Sequence, residues 1–384
     1  MPPEWNSLLG PRGILTLALL VMAVAGLGVA AIVLRAPQVF VLAKEGFPGA
    51  TWPAAGAYAT VEGADPLADP PPGADLPSTA RTRFEQGTGR ALLVDQAGVL
   101  RTEGYGDGIN RETRLNSYSL VKSLVGALVL RALADGRIEG LDLSLQQIIG
   151  PAAPDITVGE ALTMTSGLVM APEPPKTDDT MLDDAGFSPF GPLARIHSYG
   201  VQAVMQDLRV DKDLRGRFHD QSAKTALLGL VLERVHGRPL PDILSALIWK
   251  PAGAAEAYWR RYPAGDGVSA YCCLYARPLD WVRVGRFLLD NGSPGSPFLP
   301  EALWRDVVLP ELDAEARRQG VYGDQIRHDV LDRPGEVLDG PFAYFLGHGG
   351  QVVYLLPLQD AVVVRFGDRV QLLHSTLYEL FPPP

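Results

Sequence analysis

The chain has 384 residues, of which 47% are hydrophobic and 20% charged, and its formal net charge at pH 7 is −10. This length accommodates one large catalytic domain together with additional segments. Because an acidic protein is repelled by nucleic acid and by anionic lipid surfaces, the charge argues against both as binding partners.

The first predicted element is an apolar helix near the N-terminus. Residues 14–34, ILTLALLVMAVAGLGVAAIVL, contain no charge and lie between Arg12 and Arg35. This stretch is long enough to span the roughly 30 Å hydrocarbon core of a bilayer. The alternative is a cleaved signal peptide, but its apolar region is typically about 7–15 residues, and no small-residue cleavage site follows Leu34. We therefore predict a retained transmembrane anchor, preceded by a short segment at 1–13.

The charges that flank this helix do not decide its orientation. Arg12 and the N-terminal amine on one side are nearly balanced by Arg35 and Lys44 on the other. The sequence thus predicts a single membrane pass without fixing the side on which the remaining residues lie.

Residues 35–80 are predicted to form an extended linker. The stretch 61–79, VEGADPLADPPPGADLPST, is rich in Pro, Gly, Ala and Asp and has no apolar periodicity. We expect the catalytic domain to occupy residues 81–384.

The N-terminal part of this domain predicts a hairpin and then a helix. Residues 90–106, RALLVDQAGVLRTEGYG, contain two short apolar runs that flank a turn near Gly98. The segment 119–136 predicts a buried helix that ends near Gly136. Its apolar residues recur at i, i+4 spacing: Leu120, Leu124, Leu128 and Ala132.

The C-terminal part predicts further helices and a second hairpin. A helix over 223–236 is closed by Gly237, and an amphipathic run covers 240–249. Two β-branched runs within 350–367 predict a hairpin, and a short helix is expected over 369–381. Strands at both ends with helices between them predict an α+β fold, in which one antiparallel sheet packs against helices and a mainly helical subdomain.

A long polar segment from about 169 to 216 contains the sequences PEPPKTDD and LDDAGF. Long loops in compact domains are often functional, so we expect this one to border the pocket. The alternative is a solvated insertion, and the acidic runs by themselves do not define a substrate.

The sequence predicts neither a metal nor another cofactor. Cys272 and Cys273 are adjacent, which gives no disulfide framework and no C-x-x-C spacing, and we interpret them as small buried apolar residues. No Gly-rich phosphate loop occurs. Zinc-motif spacing is also missing among the histidines at positions 197, 236, 328 and 374.

Ser119 and Lys122 form a Ser-x-x-Lys pattern at the start of the first predicted domain helix. Because three residues make nearly one helical turn, the hydroxyl and the amine lie on one face within hydrogen-bonding reach. Burial favours a neutral lysine that can accept the serine proton, and the helix N-terminus supplies N–H groups for an oxyanion. The alternative is that Ser119 only caps the helix and Lys122 caps a surface turn. Lys122 is the one lysine of six with a serine at this offset, which favours the catalytic interpretation.

Six stretches of the sequence occur in the order found in one enzyme family. They are SYSLVKSLVGALVLRALADGRI at 117–138, DITVGEALTMTSGL at 155–168, ALLGLVLERVHGRPL at 226–240, IWKPAGAAEAYW at 248–259, YCCLYARPLDWVRVGRFLLDNG at 271–292 and GHGGQVVYLLPLQDAVVVRFG at 347–367. Over residues 90–370 the chain resembles the class C β-lactamase-like serine hydrolases, a group that includes D-aminopeptidases, esterases and nylon-oligomer hydrolases. The resemblance implies a β-lactamase/transpeptidase-like fold and a small ester, amide or peptide substrate.

The resemblance also implies roles for individual residues. Ser119 is the acylated nucleophile, and Lys122 is the base or proton shuttle. The family's strand motif, Lys-Thr-Gly or His-x-Gly, is occupied by His348, Gly349 and Gly350. His348 then lines the pocket, although a strand-edge histidine is the alternative. The backbone N–H groups of Ser119 and Gln351 form the oxyanion hole.

One position departs from the family's pattern. In RFHDQSAKTALLG, Asp220 stands where the family has the tyrosine of a Tyr-x-Asn or Tyr-Ser-Ser motif, and Ser222 occupies the third position. The phenol of that tyrosine helps to shuttle protons to the leaving group. Three interpretations are open: Asp220 carries the proton itself, it pairs with Lys122 and keeps the lysine charged, or the site binds without turnover.

Two functions remain open at this point. The first is a serine hydrolase that forms an acyl-enzyme, held in the inner (cytoplasmic) membrane by one helix, with its domain toward the periplasm or the exterior. Relatives that act on cell-wall peptides, β-lactams or small esters outside the cytoplasm suggest this placement. The second is a catalytically silent family member that binds an envelope peptide or partner. The substrate and the oligomeric state do not follow from the sequence.

Overall fold

The computed structural model describes residues 11–46, 49–65, 68–170, 188–310, 321–369 and 374–381. Its helices are α1 (Pro11–Arg35), α2 (Gln38–Glu45), α3 (Ser78–Gln86), α4 (Leu120–Ala134), α5 (Leu145–Ile149), α6 (Val158–Leu162), α7 (Pro192–Tyr199), α8 (Ser222–His236), α9 (Leu240–Leu244), α10 (Pro278–Leu289), α11 (Glu301–Val308) and α12 (Ser375–Leu380). Its strands are β1 (Tyr58–Val61), β2 (Gly89–Gln96), β3 (Val99–Tyr105), β4 (Leu115–Asn116), β5 (Ser166–Met170), β6 (Leu208–Arg215), β7 (Ala257–Arg260), β8 (Leu274–Ala276), β9 (Gly292–Ser293), β10 (Ser296–Pro297), β11 (Tyr322–Gly323), β12 (Ile326–Leu331), β13 (Gly340–Gly347), β14 (Gln351–Leu356) and β15 (Ala361–Gly367).

The two ends of the domain meet in one seven-stranded antiparallel sheet. The strand order is β11-β12-β13-β14-β15-β2-β3, and β15 pairs with β2. Both expected hairpins belong to it: β2 and β3 are joined through Gly98 (φ +73), and β14 and β15 through Asp360 (φ +47). The predicted α+β fold, with an antiparallel sheet packed against helices, is confirmed.

Both faces of this sheet are buried. Leu93 and Val364 belong to the large core that includes α4, α8 and α10, whereas Leu92 and Val363 belong to a second core with α3 and α12. Strand β15 is consequently buried along its whole length. This two-sided burial explains why these strands read as continuous apolar runs and do not alternate.

Helix α4 joins the sheet to the helical subdomain. It contacts α8 on one side and both β13 and β14 on the other. Most of its residues are therefore buried, including Lys122. Helix α8 ends at Gly237 in the left-handed conformation (φ 65), as its sequence predicts.

The interpretation of residues 35–80 as an extended linker is corrected by the structure. Ala36 and Leu42 are 7% and 1% exposed, and β1 pairs with β7 in the order β1-β7-β8-β4. The Pro-rich part is also held, because Arg277 forms an ion pair with Asp69 at 2.9 Å. Short elements whose partners lie far along the chain leave no local periodicity, so composition alone marked this segment as a linker.

An aromatic cluster fixes this N-terminal segment to the domain. Trp52 stacks on Tyr258 with ring centroids 4.2 Å apart and meets Tyr58 edge-on at 4.6 Å. The backbone next to Trp52 is also held to strand β4, because Asn116 donates its backbone N–H to the carbonyl of Ala50 at 2.9 Å. Residues 49–61 therefore support strand β4, which comes directly before Ser119.

Two further expectations are corrected. The segment 169–216 is not a continuous loop, because β5 pairs with β6 and α7 lies between them; residues 171–187 lie outside the described residues. The two cysteines form a vicinal disulfide between Cys272 and Cys273, which an interpretation as simple apolar residues does not include. The prediction of a helix over 369–381 is met by α12, with 370–373 outside the described residues.

Helix α1 is long and apolar enough from Ile14 to Arg35 to cross a membrane, and its apolar residues are not buried against the rest of the chain. An N-terminal signal sequence has the same length and composition properties. The described chain begins at Pro11, so residues 1–10 of the short segment predicted at 1–13 lie outside it, while 11–13 belong to α1.

Candidate active site

Ser119 lies at the N-terminal end of α4, and its side chain is half-buried. Its hydroxyl does not cap the helix and makes no hydrogen bond with other described residues. The preceding residue, Tyr118, has a φ of +43, a left-handed conformation that is uncommon for residues other than glycine. A simple capping role for Ser119 does not fit this geometry.

Strand β8 holds the turn that presents Ser119. Ser117 donates its N–H to the carbonyl of Leu274 at 2.9 Å, and the N–H of Leu274 donates to the Ser117 hydroxyl at 3.0 Å. Tyr118 donates its N–H to the side chain of Asn116 at 2.9 Å. These bonds fix the backbone on the N-terminal side of the hydroxyl.

Lys122 and Asp220, 98 residues apart in sequence, form an ion pair. Lys122 Nζ lies 2.8 Å from Asp220 Oδ1, and the two side chains are 9% and 23% exposed. Burial raises the pKa of Asp220, but the charge and hydrogen bond of Lys122, together with the charges of Arg327 and Lys224, lower it overall. Asp220 is therefore ionised at neutral pH. The Asp220–Lys122 contact on which the second interpretation rests is therefore present in the fold.

Lys224 is part of this cluster and was not identified from the sequence. It is completely buried on α8, and its Nζ donates to the carbonyls of Met164 at 3.0 Å and His219 at 2.7 Å. Burial lowers its pKa to about 8, an effect that attraction to Asp220 partly offsets. The available signal was a lysine within the apolar run AKTALLGLVL, one helical turn after Asp220.

Arg327 on β12 also contributes to the electrostatics of the site. The residue is 9% exposed, and its charge helps to lower the pKa of Asp220. Its guanidinium carbon lies 5.5 Å from the ring centroid of Tyr322 and 5.7 Å from that of Phe218. No sequence motif marks Arg327, because its approach to Asp220 depends on contacts with Phe218 and Tyr322 that form only in the folded chain.

The His-Gly-Gly turn follows β13 and lies next to the Ser119 turn. Gly349 and Gly350 have φ values of +72 and +75, which explains the glycine pair. His348 is exposed, and its ring lies edge-on to Tyr118 with centroids 5.3 Å apart. A Cβ on Gly347 would lie 2.6 Å from the carbonyl oxygen of Ser117, so β13 touches the backbone that carries the nucleophile.

Gln351 is buried, and its side chain braces this turn. Nε2 donates to the carbonyls of His348 and Gly367, both at 2.7 Å, and Oε1 accepts the N–H of Gly367 at 2.9 Å. The side chain is thus fully used, so a contribution of Gln351 to an oxyanion hole could come only from its backbone N–H. Ser222 is half-buried at the start of α8, and its hydroxyl makes no side-chain hydrogen bond with the described residues.

Comparison with known proteins identifies the family and the fold. The sequence model of the family described as Beta-lactamase matches residues 79–366. A proposed 6-aminohexanoate-dimer hydrolase from Bacillus anthracis superposes with a TM-score of 0.67 at 19% identity, covering 85% of this chain and 89% of the other. A D-stereospecific amidohydrolase from Streptomyces sp. has a TM-score of 0.58 at 17% identity, covering 79% and 98%. A class C beta-lactamase from Rhodobacter sphaeroides has a TM-score of 0.55 at 14% identity, covering 79% and 97%.

At these identities the solved structures establish the fold and not the substrate. The family match spans the Ser-x-x-Lys motif, Asp220 and the His-Gly-Gly turn, so the sequence resemblance is confirmed at the level of the family.

Proposed function

The chain belongs to the beta-lactamase family, and from this membership we propose that it is a membrane-anchored serine hydrolase that cleaves an ester or amide bond through an acyl-Ser119 intermediate. The observation that carries the proposal is the uncapped hydroxyl of Ser119, one helical turn before the buried Lys122. A serine held this way at a helix N-terminus is positioned for attack and not for capping.

In the proposed reaction, Ser119 Oγ attacks the carbonyl carbon of the substrate and its proton passes to Lys122. The oxyanion of the tetrahedral intermediate accepts hydrogen bonds from the backbone N–H groups of Ser119 and Gln351. Lys122 then protonates the leaving alcohol or amine as the C–O or C–N bond breaks. Water hydrolyses the acyl-serine by the same steps in reverse, while His348 lines the entrance.

Asp220 sets the condition for the first proton transfer. Lys122 can accept a proton only after its ammonium group has released one. Asp220 accepts a hydrogen bond at 2.8 Å from Lys122 Nζ, the atom that has to receive the serine proton, so this contact competes with the proton transfer. We expect Asp220→Tyr, which restores the family's residue, to accelerate acylation of Ser119. Equal acylation and turnover in the two proteins would show that position 220 does not control proton transfer.

A second candidate is a silent family member that binds an envelope peptide or partner. The Lys122–Asp220 ion pair favours this function, since Lys122 Nζ donates to Asp220 and is not free to accept the serine proton. Covalent reactivity distinguishes the two candidates.

The deciding experiment labels the full chain in neutral detergent micelles with a fluorophosphonate and, separately, a penicillin-like probe, read by intact mass. A serine hydrolase gives an adduct that Ser119→Ala abolishes. Arg305→Met, an exposed position on α11, is the matched control and keeps the adduct. A folded protein that forms no adduct with either probe supports the binding function.

The proposed location is the inner (cytoplasmic) membrane, with the domain toward the periplasm or the exterior. It rests on helix α1 and on the placement of relatives, so it needs its own test. External protease added to spheroplasts should digest residues 36–384. Digestion only after lysis of the inner membrane would contradict this orientation.

A further inference from the structure

A disulfide lies next to the turn that carries Ser119. Cys272 and Cys273 are bonded to each other, and strand β8 begins at the following residue, Leu274. Because the two cysteines are adjacent, their disulfide closes a small ring that contains the peptide bond between them. The proposed reaction does not use this ring, and the chain contains no other cysteine.

The ring is bonded directly to the nucleophile turn. Cys273 donates its N–H to the carbonyl of Tyr118 at 3.3 Å, and Tyr118 comes immediately before Ser119. The next residue, Leu274, accepts the N–H of Ser117 at 2.9 Å and donates its own N–H to the Ser117 hydroxyl at 3.0 Å. Three hydrogen bonds thus join two consecutive residues on each side, so the position of the Tyr118 backbone depends on that of Cys273.

Both residues of this contact have a left-handed backbone. The φ angle is +71 at Cys273 and +43 at Tyr118. A residue with a Cβ adopts this conformation at a cost in free energy, so the surrounding structure has to maintain it. At Cys273 the covalent ring restricts the backbone angles. At Tyr118 the local restraint is the hydrogen bond from its N–H to the side chain of Asn116.

The ring is also anchored to strand β7. Arg260 donates its backbone N–H to the carbonyl of Cys273 at 3.1 Å, and the indole of Trp259 donates to the carbonyl of Cys272 at 3.1 Å. Arg260 and Trp259 are completely buried. The disulfide is therefore fixed between the buried strand β7 and the turn that presents the nucleophile.

We propose that the Cys272–Cys273 disulfide is a positioning element for acylation, which holds the turn at Tyr118 so that the hydroxyl of Ser119 faces the substrate carbonyl. This inference rests on the proposed function, because it concerns how the same nucleophile is held. Compartments outside the cytoplasm keep cysteine pairs oxidised, whereas the cytosol keeps thiols reduced. The proposed external location of the domain therefore suits this element.

Reduction of the ring begins at Cys272, which is half-buried, because Cys273 is completely buried. A thiolate of a dithiol attacks the Cys272 sulfur, the S–S bond breaks, and the second thiol of the reductant displaces Cys272. Two electrons and two protons pass to the cysteines, which become thiols, while the dithiol becomes a disulfide. The backbone of Cys273 is then restrained only by hydrogen bonds, and the Tyr118 turn loses its rigid support.

The test measures the rate of fluorophosphonate labelling of Ser119 in the full chain in neutral detergent micelles, before and after reduction by dithiothreitol that is removed before the probe is added. Rates at several probe concentrations separate the maximal rate constant, kinact, from the probe's inhibition constant, KI. Displacement of a reacting atom by about 1 Å can cost about 100-fold in rate. We expect kinact to fall at least about 10-fold while KI changes less than about threefold, and reoxidation with diamide to restore kinact.

The matched variant combines Cys272→Ala with Cys273→Ala. It should label at the slow rate of the reduced protein. Dithiothreitol should not change that rate, because the variant contains no cysteine. Urea unfolding of the reduced protein separates the two possible roles of the ring. A disulfide that only stabilises the fold lowers the free energy of unfolding and leaves the labelling of the folded protein unchanged.

Equal kinact values for the oxidised and reduced proteins overturn the proposal, as does unfolding of the reduced protein in the absence of urea. Two free thiols in the untreated protein, counted by alkylation under denaturing conditions, overturn it as well.

Hydrogen exchange makes the test independent of hydrolase activity. If the oxidised protein forms no adduct, the proposed function fails, but the link between the ring and the turn can still be measured. Reduction should then accelerate amide exchange at Ser117 and Tyr118, because their N–H bonds to Leu274 and Asn116 are weakened. Unchanged exchange at these two amides overturns the inference, and faster exchange supports it even without hydrolase activity.

Discussion

Two buried arginines, Arg277 and Arg327, have similar exposure but differ in whether their guanidinium donors have carboxylate acceptors. Arg277, at the start of α10, is 2% exposed and binds Asp280, Asp69 and Glu112 through all three of its guanidinium nitrogens. Arg327, on β12, is 9% exposed and its charge acts on Asp220, and two of its three guanidinium nitrogens are buried without an acceptor among the described residues.

The difference separates the supporting structure from the site. The partner carboxylates of Arg277 raise its pKa despite burial, whereas burial lowers the pKa of Lys224 in the site cluster to about 8. Charges that are fully matched hold distant segments together. Charged groups whose hydrogen-bonding capacity is only partly used by neighbouring residues can still interact with a ligand or exchange a proton. This arrangement is expected of a functional site.

The largest expected effect comes from removing the N-terminal part of the supporting structure. A chain that begins at residue 81 lacks Glu45 and β1, so it leaves the completely buried Arg260 without its carboxylate at 2.6 Å. Removing one partner of a buried pair costs about 3–5 kcal/mol, and lost burial of Leu42 and Val61 adds to this, against a typical total stability of about 5–15 kcal/mol. We expect this chain to be unfolded by circular dichroism.

The control for this truncation is a chain that begins at residue 36, which keeps α2, β1 and the aromatic cluster. It should unfold cooperatively and retain the mass adduct on Ser119. A stable, cooperatively folded 81–384 fragment would show that the N-terminal segment is the dispensable linker that its composition suggests.

The same substitution at the two arginines tests the comparison directly. Arg277→Met leaves Asp280, which is completely buried, without its main partner, and we expect a loss of about 3–5 kcal/mol in the free energy of unfolding. Arg327→Met removes only ring contacts and unmatched donors, so a change within about 1 kcal/mol is expected. Urea unfolding of both variants measures the difference. Equal losses would mean that Arg327 is structural as well.

The lowered pKa of Lys224 predicts a pH dependence of stability. Between its folded value of about 8 and its usual value of 10.5, the unfolded chain holds a proton that the folded chain has released. The free energy of unfolding therefore increases with pH across this window, by about 3 kcal/mol if it is fully traversed. Buried tyrosines such as Tyr271 have raised pKa values, which make the free energy of unfolding decrease with pH above about pH 10. Urea unfolding of the wild-type protein and Lys224→Met is therefore compared between about pH 7 and 9.5, below that range. Parallel profiles for the two proteins would contradict this assignment.

A smaller effect is expected where the sheet meets the nucleophile turn. Gly347→Ala places a Cβ 2.6 Å from the Ser117 carbonyl and 3.2 Å from the N–H of Leu120, so one backbone must move. We expect a loss of about 1–3 kcal/mol in stability and slower probe labelling of Ser119. Gly323→Ala, whose Cβ would meet no atom within 4 Å, is the control. Unchanged labelling in Gly347→Ala would show that this contact does not position the nucleophile.

Local sequence patterns predicted the elements that persist over several turns or strand residues. The helices over 119–136 and 223–236 and the hairpins near Gly98 and within 350–367 each contain enough apolar residues in register to reveal their period. The family resemblance predicted the overall fold as well. Its motifs extend from 117 to 367 in a set order, whereas one helix or one hairpin defines only a local element.

The same patterns missed the short elements of residues 35–80 and the helix within 169–216. A four-residue strand such as β1 has no periodicity to detect, and its stability comes from pairing with β7, about 200 residues away. The disulfide between Cys272 and Cys273 was also missed, because adjacent cysteines were interpreted from their residue type as buried apolar side chains.

The sequence by itself determined the Ser-x-x-Lys helix and the hairpins β2–β3 and β14–β15 of the sheet, because each lies within a local pattern, and the family resemblance marked Asp220 in place of the expected tyrosine. Tertiary structure alone decided that Asp220 pairs with Lys122, that Lys224 is buried behind them, and that Arg327 lies among these charges without a matched acceptor. Pairing, burial and electrostatic fields depend on distances between residues far apart in the chain, and those distances exist only once the sheet and the helices have packed.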